Sequence, residues 1–149
     1  MENIHATSVD FDGAGILIVG KSAAGKSDLA LRLIENKGAL LVSDDRTDLK
    51  PLNGQLVACC PKNIEGLLEV RGVGVVRQKF KAQSVVRLVV MASEKEDVER
   101  LPRPAFFENQ GISVPSVRLC LLEPSAPDKV VVKLKSVLEE TKQKTYDKP

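Results

Sequence analysis

The segment GILIVGKSAAGKSDLALRLI at residues 15–34 constrains the fold more than any other part of this chain. An apolar run stops at Gly20, small residues follow, and a helical pattern begins near Lys26. Residues 20–27 fit the spacing G-x-x-x-x-G-K-[ST] of a loop that binds phosphate groups between a strand and a helix. The segment therefore predicts a buried strand, a phosphate-binding loop and a helix over about residues 26–36.

The residue types of this loop suit a polyphosphate. Glycines let backbone N–H groups turn around an anion, and the N-terminus of the following helix adds partial positive charge. Lys26 is predicted to reach the β- and γ-phosphates, and the Ser27 hydroxyl to ligate Mg²⁺. The alternative is a glycine-rich turn with a solvated lysine. The predicted phosphate-binding residues are Gly20, Lys21, Ser22, Ala23, Ala24, Gly25, Lys26 and Ser27.

Two carboxylates, Asp44 and Asp45, end the next apolar run, ALLVSDD at residues 39–45. Neighbouring side chains of a strand face opposite sides, so extended geometry would give the two different roles. One would hold Mg²⁺ directly or through water, and the other would act as a general base toward the acceptor. The alternative is a turn or a helix cap, because SDDRTD is also good turn chemistry.

A third constellation is EGLLEVRGVGVV at residues 65–76. Glu69 and Arg71 lie two positions apart, so they would share one face of a strand. Gly72 and Gly74 would then allow a close approach of the backbone. A carboxylate beside a cation suits contacts with metal and phosphate. The alternative is an ion pair on a solvated face.

Composition and length favour one α/β domain, with α+β character, over residues 1–149. Short apolar runs bounded by Gly, Pro, Asn or Asp predict many strands, and only residues 26–36 and 128–142 predict helices, which favours a mixed sheet with few helices. The polar tail at about 143–149 is expected to be flexible.

The composition also limits the partners. The net charge of +2 and the absence of Trp give no reason to expect nucleic acid or a membrane. The three cysteines (Cys59, Cys60 and Cys120) form no metal-spaced or disulfide pattern and are predicted to be small buried residues in a reducing compartment. The first residues lack a signal-peptide pattern, so a cytoplasmic protein is expected.

The motifs GKSAAGKS, VSDD and EVRGVGVV occur in the order and at the approximate spacing of a known family. The chain resembles the catalytic domain of HPr kinase/phosphorylase over about residues 4–80, in its short, single-domain form. The resemblance also involves His5, which lies fifteen residues before Gly20, where this family has a histidine beside its acidic pair. It implies a P-loop fold related to phosphoenolpyruvate carboxykinase, and assembly into hexamers.

The resemblance further implies transfer of a phosphoryl group from ATP, with Mg²⁺, to a serine of an HPr-like phosphocarrier protein of a phosphotransferase system. Asp44 would then take the serine proton with help from His5, Lys26 would neutralise phosphate charge, and Arg71 would stabilise the transferred group. The metal residues would be Ser27, Asp45 and Glu69. The basic stretch RQKFKAQ at 77–83 would face an acidic phosphocarrier surface or remain a solvated charge run.

Two other functions fit parts of the sequence. A P-loop kinase for a small molecule would share the phosphate loop, although no arginine-rich lid is evident between Ser27 and the acidic pair. A non-catalytic ATP-sensing regulator would keep the loop without turnover, and the stretch after Gly74 departs from the family pattern. Whether phosphorylase activity accompanies the kinase activity is left open by the sequence.

Overall fold

The computed structural model describes residues 1–146, with side chains described through residue 142. The strands are β1 (Glu2–Phe11), β2 (Ala14–Val19), β3 (Leu40–Ser43), β4 (Arg46–Leu52), β5 (Gln55–Cys59), β6 (Leu67–Val70), β7 (Gly74–Arg77), β8 (Gln83–Ala92), β9 (Ala105–Asn109) and β10 (Ile112–Leu119). The α-helices are α1 (Lys26–Lys37) and α2 (Ala126–Tyr146), and single 3₁₀ turns occur at Lys62–Ile64 and Lys95–Asp97.

Eight strands form a mixed sheet that folds back on itself, because the first and second parts of β1, and likewise of β8, pair with different strands. Residues 2–5 of β1 pair with β4, whereas residues 6–11 pair with β2. In the same way β8 pairs first with β5 and then with β2. Strands β2, β8 and β10 run parallel, so their carboxyl ends meet at one edge of the sheet. The remaining strands, β6 and β7, form a separate hairpin.

Two apolar cores lie on opposite faces of the central strands. On one face, Ile16 and Ile18 of β2 pack with Leu29 and Leu33 of α1 and with residues of α2. On the other face, Leu17 packs with residues of β4, β5 and β8. Because both faces of β2 are covered, this strand is apolar throughout rather than alternating.

The strand–loop–helix unit forms as predicted. Helix α1 begins at Lys26 and ends at Lys37, one residue beyond the predicted end. Gly38 adopts φ +73° and donates its backbone N–H to the carbonyl of Leu33, which is a left-handed helix cap. The predicted mixed sheet with few helices is also confirmed.

Several local predictions are wrong. Strand β3 ends at Ser43, and Asp45 has a φ of +65°, so the acidic pair lies in a bend rather than an extended strand. Arg71 lies in the turn after β6, not on the strand face that carries Glu69. Gly72 and Gly74 both have positive φ, and no atom lies within 4 Å of a Cβ built on either. Their positive φ serves the turn, and the close approach of the backbone stays a prediction.

The predictions for the cysteines and the tail also need amendment. All three cysteines have free thiols and are half-buried rather than buried. Partial burial raises the pKa of the Cys59 and Cys60 thiols. Helix α2 continues to Tyr146, past the predicted end at residue 142. The rest of the predicted flexible tail, residues 147–149, lies outside the described residues.

Candidate active site

The phosphate loop begins where β2 passes the end of β8. A Cβ built on Gly20 would lie 2.6 Å from the Cβ of Ala92, so this contact between strands requires glycine. Ala23 has a φ of +67° and Gly25 a φ of +100°, which turn the chain into α1. No side chain caps the start of α1, so its first N–H groups remain available to an anion.

Lys26 closes the loop from within. Its side chain is buried, and its ammonium group donates to the carbonyl oxygens of Gly20 at 2.8 Å and Lys21 at 2.9 Å. The lysine therefore lies under the loop and bonds its first two residues. A cation held here adds positive charge to the concave side of the loop, where phosphate oxygens would bind.

Asp44 is the centre of the site. Its Oδ1 accepts hydrogen bonds from the Ser27 hydroxyl at 2.5 Å and the Thr7 hydroxyl at 3.1 Å. Its Oδ2 accepts a bond from the backbone N–H of Glu69 at 3.0 Å. The carboxylate is buried and joins the phosphate loop, strand β1 and the β6–β7 hairpin at one point.

Thr7 is a site residue that sequence reasoning missed. Its fully buried hydroxyl donates to Asp44 and accepts from the backbone N–H of Asp45 at 3.0 Å. Both bonds fix the orientation of the single hydroxyl proton toward the carboxylate. The available signal was position, since Thr7 lies two residues after His5 and therefore on the same face of β1.

The other predicted residues lie at the rim of this centre. The side chains of His5, Asp45, Glu69 and Arg71 are exposed. His5 pairs in register with Arg46, and no hydrogen bond joins it to either carboxylate among the described residues. The structure thus brings Ser27, Asp44 and the Glu69 backbone into contact, with Thr7 in the place expected for His5.

The donor chemistry fits a magnesium ion that is bound mainly by phosphates. Within the described part of the chain, no three or more His, Cys, Asp or Glu side chains are grouped to hold a metal. Ser27 nevertheless offers one hard oxygen atom beside the phosphate loop, where its hydroxyl is hydrogen-bonded to Asp44 at 2.5 Å. Mg²⁺ commonly takes one or two protein oxygens and completes its shell with water and substrate phosphates.

Comparison with known proteins gives the family of this chain. The sequence profile of the HPr serine kinase C-terminal domain matches residues 1–148. The chain belongs to this family. The resemblance inferred from the three motifs is therefore confirmed, and the match extends well beyond residue 80.

Relatives and a solved structure agree with the family. An HPr kinase/phosphorylase from Clostridium beijerinckii is 49% identical over 73 residues, which are 49% of this chain and 24% of that protein. Another from Polaromonas sp. is 36% identical over 128 residues, 77% of this chain and 40% of that protein. The chain thus spans less than half the length of these curated relatives.

The fold of the family is also reproduced in full. The HPr(Ser) kinase/phosphatase structure from Coxiella burnetii superposes with a TM-score of 0.79 at 26% identity. The superposition covers 98% of this chain and 99% of that chain. Among the described residues, neither helix combines the length and the apolar character that crossing a membrane requires.

Proposed function

We propose that this chain is an ATP-dependent protein serine kinase. Its substrate would be a serine of an HPr-like phosphocarrier protein of a phosphotransferase system, and it would act in the cytoplasm. The observation that carries the proposal is the 2.5 Å hydrogen bond between Ser27 and Asp44. It supports phosphoryl transfer because it joins the phosphate loop to a buried carboxylate at the point where reacting groups would meet.

The phosphate loop would hold the nucleotide. Backbone N–H groups of residues 20–27 would surround the β- and γ-phosphates, and the Lys26 ammonium would turn from the loop carbonyls toward them. When bound, Mg²⁺ would neutralise charge on the β- and γ-phosphates. Ser27 would hold it directly, with Asp45 and Glu69 as further oxygen donors from the rim.

Asp44 would act as the general base. The acceptor serine oxygen attacks the γ-phosphorus, the bond from this phosphorus to the bridging oxygen of ADP breaks, and the serine proton passes to Asp44. Thr7 would hold the carboxylate in place, and His5 would support it from the same face of β1. Arg71, in the exposed hairpin turn, would stabilise negative charge on the transferred group.

The basic stretch at 77–83 supports docking of an acidic partner. Arg77 and Lys79 are exposed, and the backbone around Lys79 pairs with the edge of β3 through the Leu41 N–H. Lys81 is already paired with Asp10, so it contributes less to a docking surface. We therefore assign Arg77 and Lys79 to contact with the phosphocarrier protein.

The family resemblance also leads us to propose a homo-oligomer, specifically a hexamer. Large apolar side chains exposed on the single chain are compatible with subunit contacts, with Leu101 81% exposed and Phe106 59% exposed. Sedimentation equilibrium should then give six times the mass of one chain, and a monomeric mass at micromolar concentration would contradict the assembly.

The test is transfer of labelled phosphate from Mg-ATP to the HPr-like protein of the host. Acid-stable label on serine should appear, and Lys26→Ala and Asp44→Asn should each abolish it. Asp12→Asn is the matched control, because Asp12 is exposed at the β1–β2 turn, away from the phosphate loop.

Other outcomes would favour the other functions. Nucleotide binding without phosphate transfer would support a regulator, and transfer to a metabolite alone would support a small-molecule kinase. Release of the label on adding inorganic phosphate would demonstrate phosphorylase activity.

A further inference from the structure

The loop between β10 and α2 lies beside the phosphate loop. Strands β2, β8 and β10 are parallel, and the loops after β2 and β10 leave the same edge of the sheet. Crevices outside the carboxyl ends of parallel strands are where α/β sheets bind their ligands. The loop after β10, residues 120–125, is therefore at the binding edge although no motif marks it.

Leu122 brings an apolar side chain to this edge. It is 62% exposed, yet a Cβ built on Gly25 would lie 2.7 Å from its Cδ2 atom. Leu122 thus contacts the phosphate loop and still presents most of its surface to solvent. Its neighbour Leu121 is buried in the core formed with the helices, which directs the two side chains to opposite sides.

Arg32 holds the loop on both sides of Leu122. Its guanidinium donates to the carbonyl oxygen of Leu121 and, at 2.9 Å, to that of Glu123. Its Nε atom also bonds Asp28 at 3.0 Å, so the same side chain is braced against the first turn of α1. The Glu123 carboxylate is paired with Lys129 at 3.0 Å. The exposed leucine is consequently held in a fixed place.

We propose that Leu122 is the platform on which the base of the bound nucleotide rests, and that Arg32 is its positioning residue. This inference rests on the proposed binding of ATP in the phosphate loop. A triphosphate held by residues 20–27 leaves its nucleoside outside the loop, and an adjacent rigid apolar surface would cover one face of the base. Aliphatic carbon contacts the face of any base, so the platform would serve GTP as it serves ATP.

The test separates the nucleoside from the phosphates. Binding of Mg-ATP, Mg-GTP and Mg-tripolyphosphate is measured by calorimetry for the wild-type chain and for Leu122→Ala. ATP and GTP should each lose roughly fivefold in affinity while tripolyphosphate is unchanged. Leu122→Met should restore ATP binding. Leu52→Ala is the matched control, since Leu52 is 49% exposed and lies near Gly13, at the opposite end of β2.

Arg32 is tested by the same split. Arg32→Lys keeps the charge but not the fork that bonds two carbonyl oxygens. Arg32→Lys should lower the affinity for ATP and leave the affinity for tripolyphosphate unchanged. In the double variant, Leu122→Ala should cause little further loss of ATP affinity. Equal losses for ATP and tripolyphosphate, or no loss of ATP affinity in Leu122→Ala, would overturn the platform while leaving the phosphate loop in place. Failure of the wild-type chain to bind both Mg-ATP and Mg-tripolyphosphate would overturn the proposed function and the platform together.

Discussion

Thr7 and Asp44 are joined by a hydrogen bond of 3.1 Å between their side chains, although 37 positions separate them in the sequence. The threonine hydroxyl is fully buried and also accepts the Asp45 N–H. One of the three hydrogen bonds that orient the central carboxylate thus comes from strand β1, outside all three of the motifs that identify the family.

Thr7→Val should test this relationship, because it keeps the shape and removes the hydroxyl. The free energy of unfolding should fall by about 1–3 kcal/mol, since the Asp45 N–H loses its buried acceptor. The rate of phosphoryl transfer should fall by roughly one to two orders of magnitude with little change in KM for ATP. Thr7→Ser keeps the hydroxyl and should retain most of the stability and most of the transfer rate. Unchanged turnover in Thr7→Val would show that Asp44 is oriented by other groups.

Asp10 should make the stability of the protein depend on acid pH. Burial alone would raise the pKa of this carboxyl, but hydrogen bonds from Ser84, the Gly13 N–H and Lys81 outweigh it and lower the pKa. A lowered folded-state pKa contributes stability above the unfolded value, and this is lost as pH falls through the folded value. Asp10→Asn should cost about 2 kcal/mol at pH 7, with the difference shrinking below about pH 4. Urea titrations across pH measure it, and a difference independent of pH would contradict the assignment.

Ala23 should be replaceable by glycine with a gain in stability. A left-handed conformation costs an alanine about 1–2 kcal/mol, whereas glycine adopts it readily but loses about 0.5–1 kcal/mol of backbone entropy. Ala23→Gly should therefore raise the free energy of unfolding by about 0.5 kcal/mol. Ala24→Gly is the comparison: Ala24 has no positive φ, so this substitution should lower the free energy of unfolding. Thermal unfolding of the two variants should shift the midpoint in opposite directions.

Gly20 should not tolerate a methyl group unless Ala92 loses one. The two Cβ atoms would approach to 2.6 Å where β2 meets the end of β8. Gly20→Ala should cost about 1–3 kcal/mol by overpacking and weaken ATP binding by displacing the start of the phosphate loop. Adding Ala92→Gly should restore much of the affinity. A double variant no better than Gly20→Ala would place the strain elsewhere.

The parts of the site that sequence reasoning found are local. The phosphate loop and the cap at Gly38 depend on residues that follow one another, so their spacing carries the information. Strand β4, RTDLKPL, is not one of the apolar runs that predict strands, because it carries charged residues and Pro51. Its pairing with β1 and β5 overrides those preferences.

The parts that sequence reasoning could not find depend on the topology of the sheet. Thr7 meets Asp44 only because β1 pairs with β3, and a register shift at Ser8 occurs in that pairing. Arg32 meets the carbonyl oxygen of Glu123 across 91 positions because α1 lies beside the loop that leads from β10 into α2. Asp45 could not be assigned to a face while the end of β3 was unknown. Such contacts have no periodicity that a sequence pattern could display.

Because β1 and β8 each pair with different strands along their length, the whole sheet should respond when a ligand binds at one edge. Strand β2 enters the phosphate loop between β1 and β8, and these two flanking strands also pair with β4 and β5. Nucleotide binding at one edge of the sheet should therefore slow amide exchange in β4 and β5 as well as in β1, β2 and β8. The sheet would then respond to the bound nucleotide as one cooperative unit, and the response would not be limited to the phosphate loop.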